Sequence, residues 1–264
     1  MAATPISKLQ RYWNEWETKL NPLVKDRGGA RLFFPLLKQQ PPEKDGGHFT
    51  LSPVEPIFLH NAPPKASSSK TATASSRLAI FIDGDFHIYD DGHPKKGLRA
   101  SACSIMFYLS KATEDGINLT LFDALHFDHE IHDDETAFHP VFHAQRGLSR
   151  TVNDSTVKSI LAKHLHYAEE NIEINNDAAN YLGSPYLRLP TPQLDLFSAL
   201  TLVAADFFCN GGDATSSTKD KFQAILKHLA DPKNTALLGH TCGALKQRIV
   251  NNDLTIARWY MEGA

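Results

Sequence analysis

The order of strand-like and helix-like segments is the feature that most restricts the fold of this chain. From Arg77 to Ala144, short runs rich in β-branched and aromatic residues alternate with turns, and from Val157 onward apolar residues recur at helical spacing. Consecutive strands joined by short turns form antiparallel sheets. A run of strands followed by helices is typical of the α+β class. We therefore predict an antiparallel β-sheet with helices packed on one face and a helical C-terminal third.

The N-terminal segment has the pattern of an amphipathic helix. Thr4 and Pro5 fit an N-cap and a first-turn proline, and we expect the helix to end near Pro22. Its apolar residues recur every three or four positions, at Ile6, Leu9, Trp13, Trp16 and Leu20. This aromatic stripe either packs on the sheet of its own chain or docks a partner protein.

Two segments predict turns or loops within the strand-rich part. Asp83-Gly84 fits a two-residue type I′ turn and predicts a tight hairpin, with Asp85 and His87 beside it as solubilising residues. Residues 61–76, NAPPKASSSKTATASS, offer almost no apolar side chain for burial. Such composition predicts a flexible low-complexity loop. We interpret residues 1–264 as a single domain that contains this loop.

The segment from Leu125 to Ala144 says most about function. It reads LHFDHEIHDDETAFHPVFHA, which predicts a β-hairpin with its turn near the middle. A register that pairs Phe127 with Phe142 gathers apolar side chains on one face and places His126 opposite His143. The other face then carries five histidines and carboxylates, which are His126, Asp128, Glu130, His139 and His143.

These five residues are the candidates for catalysis. Directly opposed Cβ atoms on one sheet face lie about 4.5 to 5.5 Å apart, and imidazole and carboxylate groups suit zinc or manganese. The predicted metal ligands are His126, Asp128, His139 and His143. The same groups can also act as a general acid and base without a metal ion. Half-exposed strands place such residues outward for solubility as well, and that alternative stays open.

One further pattern is a resemblance. The HPVFHAQRG of residues 139–147, followed by the RLPTPQLDLFSAL of residues 188–200, resembles a group of uncharacterised bacterial proteins. Those proteins share an HPxFH strand motif and a PTPxxD helix start in the same order, although Gln145-Arg146-Gly147 departs from their more glycine-rich end. They look like accessory components of mobile or defence loci. The resemblance implies no established activity and no catalytic role for any residue.

Charge and cysteine content restrict the partners and the compartment. A net charge of -3 does not indicate binding to nucleic acid. The three cysteines lack a CxxC spacing, which favours free thiols in a reducing compartment and thus a cytoplasmic location. The sequence shows neither the pattern of a secretory signal nor an apolar run of about 20 residues, so we expect no targeting or membrane segment.

Two functions remain open after these observations. No nucleophile elbow, phosphate-binding loop, dinucleotide fingerprint or HExxH motif occurs in the sequence. This favours a binding or regulatory component of a multi-protein system, with a partner protein from the same locus. Antiviral defence and toxin–antitoxin-like systems are the examples that the resemblance implies. The alternative is a metal-dependent hydrolase or nuclease that uses the histidines and carboxylates of the hairpin.

Overall fold

Four α-helices and ten β-strands make up the part of the chain that the structure describes. The computed structural model describes residues 5–26, 29–40, 48–63, 77–89, 97–130, 142–147, 152–177, 189–190, 196–209 and 216–229. The helices are α1 (Pro5–Lys25), α2 (Asp154–Leu165), α3 (Leu196–Val203) and α4 (Ser216–Leu229). The strands are β1 (Arg31–Phe33), β2 (Leu37–Gln39), β3 (His48–Pro53), β4 (Ile57–Ala62), β5 (Arg77–Tyr89), β6 (Gly97–Ala112), β7 (Ile117–Glu130), β8 (Phe142–Arg146), β9 (Ile172–Asn175) and β10 (Leu189–Pro190). The predicted α+β class is confirmed.

Three long strands form the centre of a forked sheet. β6 lies between β5 and β7 and pairs with both. The N-terminal part of β5 pairs with β4 and its C-terminal part pairs with β3. In the same way, the N-terminal part of β7 pairs with β9 and its C-terminal part pairs with β8. Every described pair is antiparallel except β7 with β9. The sheet therefore has two halves that share the three long strands, one beside β4 and β9 and the other beside β3 and β8.

The first face of the sheet is covered by α1, α3 and α4. The α1 side chains Tyr12, Trp13 and Trp16 are at most 1% exposed, and each contacts the ring of Phe197 in α3. The indole Nε1 of Trp13 donates a hydrogen bond to the carbonyl oxygen of Pro35 at 2.7 Å. The aromatic stripe therefore packs inside its own chain and is not accessible to a partner protein.

The helix α1 extends one turn past the end that the sequence predicts. Pro22 lies inside the helix, where it lacks an N–H to donate to the preceding turn. Leu23 and Val24 follow it and are buried, at 0% and 2% exposure. Burying two large apolar side chains contributes about 3 to 6 kcal/mol, which offsets the cost of about 3 kcal/mol for the proline.

The second face is covered by α2 over the half beside β4 and β9. The side-chain oxygen of Asn153 caps this helix by accepting the backbone N–H of Thr156 at 3.0 Å. The buried residues Val157, Ile160 and Leu161 pack in one core cluster with apolar side chains of the sheet. The helix thus lies opposite the other three, which adds a second covered face to the predicted architecture.

The predicted hairpin at Asp83-Gly84 is wrong, because β5 runs without a break from Arg77 to Tyr89. A Cβ atom on Gly84 would lie 2.2 Å from the carbonyl oxygen of Ala102 and 2.9 Å from Cα of Cys103. Glycine is therefore required here for the close approach of β5 to β6 and not for a turn.

Two sequence predictions concern the organisation of the whole chain. Most of the predicted loop, residues 64–76, lies outside the described residues. The single domain stays a prediction. Among the described residues, no helix combines the length and the apolar character that a membrane crossing requires.

Candidate functional site

On the second face of the sheet, the side chains change from apolar to polar between two neighbouring cross-strand rows of β5, β6 and β7. Phe81, Met106 and Ala124 form one cross-strand row and belong to the core under α2. The next row on the same face consists of Asp83, Ser104 and His126. No described helix packs on the face beyond this row. The half of the sheet beside β3 and β8 therefore combines an apolar first face with a polar second face.

We call this polar surface the polar trough. It comprises three successive register positions on each long strand, which are Asp83, Asp85 and His87 on β5, Ala100, Ala102 and Ser104 on β6, and His126, Asp128 and Glu130 on β7. β5 and β7 are two strand spacings apart, or about 10 Å. Between the two outer columns, the positions on β6 hold small residues.

The β5 side of the trough is held by hydrogen bonds. The carboxylate of Asp85 accepts the backbone N–H of Ala102 at 3.3 Å and lies 3.5 Å from Nε2 of His87. The other ring nitrogen of His87 is 3.2 Å from the hydroxyl of Thr50 on β3. These contacts fix the ring of His87 between two strands. Asp85 and His87 thus form an ordered pair rather than two independent surface residues.

The row of the trough next to the apolar core contains a buried serine beside a histidine. Ser104 is 5% exposed, and its Oγ lies 2.7 Å from Nδ1 of the half-buried His126. Asp83 lies opposite Ser104 on β5, and Gln145 lies opposite His126 on β8. The amide oxygen of Gln145 is buried and has no hydrogen-bond partner among the described residues. One row of four strands therefore carries acid, hydroxyl, imidazole and amide groups.

No protein-family model, curated protein or solved structure matches this chain.

The predicted register of the hairpin is wrong by two residues. His143 lies opposite Asp128 instead of His126, and Phe127 lies opposite Ala144. A shift of two residues keeps every residue on the same face, so the hydrophobic pattern fits both registers equally well. The structure does bring His126, Asp128 and His143 to adjacent backbone positions.

The predicted metal site is only partly within the described structure. His139 lies outside the described residues, and the same holds for the side chains of Asp128, Glu130 and His143. Among the side chains that are described, no group of three histidine, cysteine or acidic residues is placed to hold a metal ion. The zinc or manganese site therefore stays a prediction.

Three described ionisable groups in the covered half of the sheet have shifted pKa values. Burial, with a smaller contribution from Arg31, lowers the pKa of His60 to about 4, so its ring is neutral at pH 7. Burial also raises the pKa of Tyr108, with Asp154 as the second cause, and keeps its hydroxyl protonated. Desolvation acts to raise the pKa of Glu55, but its hydrogen bonds to Lys163 and His164 outweigh it and lower that pKa. All three groups lie in the covered half of the sheet, and burial contributes to each shift.

Residues of β5 and β6 were not predicted from the sequence to belong to the same candidate site as the hairpin residues. The signal was present in the sequence, because LAIFI (residues 78–82) is continuously apolar and DGDFH (residues 83–87) alternates. A continuous apolar run indicates a strand buried on both faces, and alternation indicates one buried face. The change from one pattern to the other marks the edge of the polar trough.

Proposed function

We propose that this chain is a binding component of a multi-protein system and that it contacts its partner through the polar trough. The observation that supports this is the change from the apolar row of Phe81 to the polar row of Asp83. A sheet face that is to be covered by a helix of its own chain needs apolar residues at these positions, as the other half shows. Half-buried carboxylates and histidines instead suit a polar ligand that supplies hydrogen bonds and charge.

The composition of the trough favours a partner surface that carries basic side chains. Asp83 and Asp85 line β5, and Asp128 and Glu130 occupy the register positions across β6 on β7. Arginine and lysine bind carboxylates through charge-assisted hydrogen bonds. The resemblance noted in the sequence supports a partner encoded at the same locus. Cys103 and Cys209 form no disulfide bond, which agrees with a cytoplasmic location for the complex.

Neutralising the β5 carboxylates is expected to release the partner. The tagged full chain is purified from its native source as wild type and as the double variant Asp83→Asn and Asp85→Asn. Asparagine keeps the size of the side chain and removes the charge. We expect the variant to retain roughly tenfold less partner, which corresponds to about 1.4 kcal/mol. Quantitative mass spectrometry measures the retained partner.

The matched control is the double variant Asp115→Asn and Asp220→Asn, which removes two exposed carboxylates outside the trough. It is expected to retain as much partner as the wild type. Equal retention by the trough variant, or no protein retained by the wild type above an untagged sample, contradicts the proposal.

A metal-dependent hydrolase or nuclease is the second candidate, and the pairing of Asp128 with His143 beside His126 favours it. Zinc or manganese bound there would supply a water molecule of lowered pKa as the nucleophile. If this candidate is correct, saturating metal raises the Tm of the wild type by roughly 5 to 10 °C, and the double variant His139→Ala and His143→Ala loses the effect. A wild-type Tm that is unchanged by either metal rules it out.

A further inference from the structure

The side chains of Ser104 and His126 contact each other in a way that suits catalysis as well as binding. Their side chains are 2.7 Å apart, which is the usual distance for a hydrogen bond from an O–H donor. The geometry suits donation of the serine O–H to Nδ1 of the imidazole, which is the arrangement that activates a hydroxyl nucleophile. The pair lies in the row of the polar trough that borders the apolar row of Met106, with the small residue Ala102 next along β6 on the same face. We infer that Ser104 and His126 are the nucleophile and base of an acyl-transfer site for carboxylic esters.

Neighbouring groups fit this chemistry. Gln145 lies opposite His126, and the amide oxygen of its side chain has no hydrogen-bond partner among the described residues. The amide group of this side chain also carries a neutral N–H donor, the type of group that stabilises an oxygen that becomes negative in the transition state. Asp83, on the other side of Ser104, disfavours esters that carry a negative charge. The substrate class is thus a neutral or cationic ester.

The reaction balances with water as the only co-reactant. Ser104 Oγ attacks the ester carbonyl carbon while its proton moves to His126 Nδ1. The carbon–oxygen bond to the alcohol breaks, and His126 gives the proton to the departing oxygen. Water then attacks the acyl-enzyme and gives a proton to His126, and Ser104 Oγ leaves and takes that proton back. The products are a carboxylic acid and an alcohol, and no step uses a metal ion.

A fluorophosphonate probe tests this site directly. Ser104 Oγ would form a bond to phosphorus while fluoride leaves and His126 takes the proton. We expect labelling of wild-type protein at Ser104, no labelling of Ser104→Ala, and labelling about 100-fold slower in His126→Ala. The rate of p-nitrophenyl acetate hydrolysis is expected to be highest in the wild type, lower in His126→Ala and lowest in Ser104→Ala. Addition of EDTA is expected to change neither the labelling rate nor the hydrolysis rate, which distinguishes this site from a metal-dependent hydrolase.

The matched control is Ser110→Ala, which changes another serine of β6 in the covered half of the sheet. It is expected to label at the wild-type rate. Peptide mapping of labelled wild-type protein locates the probe even if Ser104→Ala does not fold. Folded wild-type protein that takes up no probe, a probe on another residue, or loss of labelling in EDTA overturns the inference. Partner binding by the trough is measured separately and does not depend on this result.

Discussion

Replacing Trp13 with alanine is expected to lower the free energy of unfolding by about 3 to 5 kcal/mol. The side chain is fully buried between α1 and the first face of the sheet, with Phe34 at 4.6 Å and Phe197 at 6.0 Å between ring centroids. Alanine leaves a cavity that Phe197 and Phe86 cannot fill, because both are held by other ring contacts. Urea denaturation followed by circular dichroism measures the loss.

Two companion variants separate the causes of this effect. Trp13→Phe keeps most of the ring volume but removes the hydrogen bond to the Pro35 carbonyl, so we expect a loss of about 1 to 3 kcal/mol. Glu17→Ala changes an exposed residue of the same helix and is expected to stay within about 0.5 kcal/mol of the wild type. A loss below 1 kcal/mol in Trp13→Ala would show that α1 does not pack as described.

Replacing Gly84 with alanine is expected to destabilise the fold by about 3 kcal/mol, at the upper end for overpacking. The added Cβ meets the backbone oxygen of Ala102 at 2.2 Å, and backbone cannot rotate away as a side chain does. β5 and β6 must separate locally, which also disturbs the hydrogen bond from Ala102 to Asp85. The change therefore affects both stability and the β5 side of the polar trough.

Gly147→Ala provides the matched control for this prediction. A Cβ on Gly147 meets no atom within 4 Å, so we expect a change of no more than about 0.5 kcal/mol. Thermal denaturation of both variants gives the comparison. Equal stability of the two variants would contradict the close approach of β5 and β6 at Gly84.

The fold class and most elements could be predicted because they follow from local patterns. The spacing of Trp13 and Trp16 indicates a helix, and the strand-like runs between Arg77 and Ala144 include the strands β5, β6 and β7. Asp83-Gly84 misled the prediction because a dipeptide that suits a turn also suits a strand that needs a residue without Cβ. Only the neighbouring strand decides between the two, and that contact is not local in sequence.

The candidate site could be predicted in part for the same reason. His126, Asp128 and His143 were found from alternation along two strands, and alternation is insensitive to a register shift of two. Their partners on β5 and β6 were missed, because Ser104 and Asp83 are 21 positions apart in the chain and meet only through sheet pairing. A pattern within one hairpin does not reveal which third strand completes its surface.

The forked sheet also determines where this protein tolerates mutation. In the half under α2, both faces of the long strands are packed, so a new side chain there must fit its neighbours on either side. In the other half, the first face packs against α1 and α3, and no described helix packs on the second face. Asp85 and His126 are positioned there by contacts with Ala102 and Ser104, so exchanging them changes polar contacts and not the apolar core. The sheet thus combines one half in which both faces belong to the core with another half in which substitutions on the polar face leave the core unchanged.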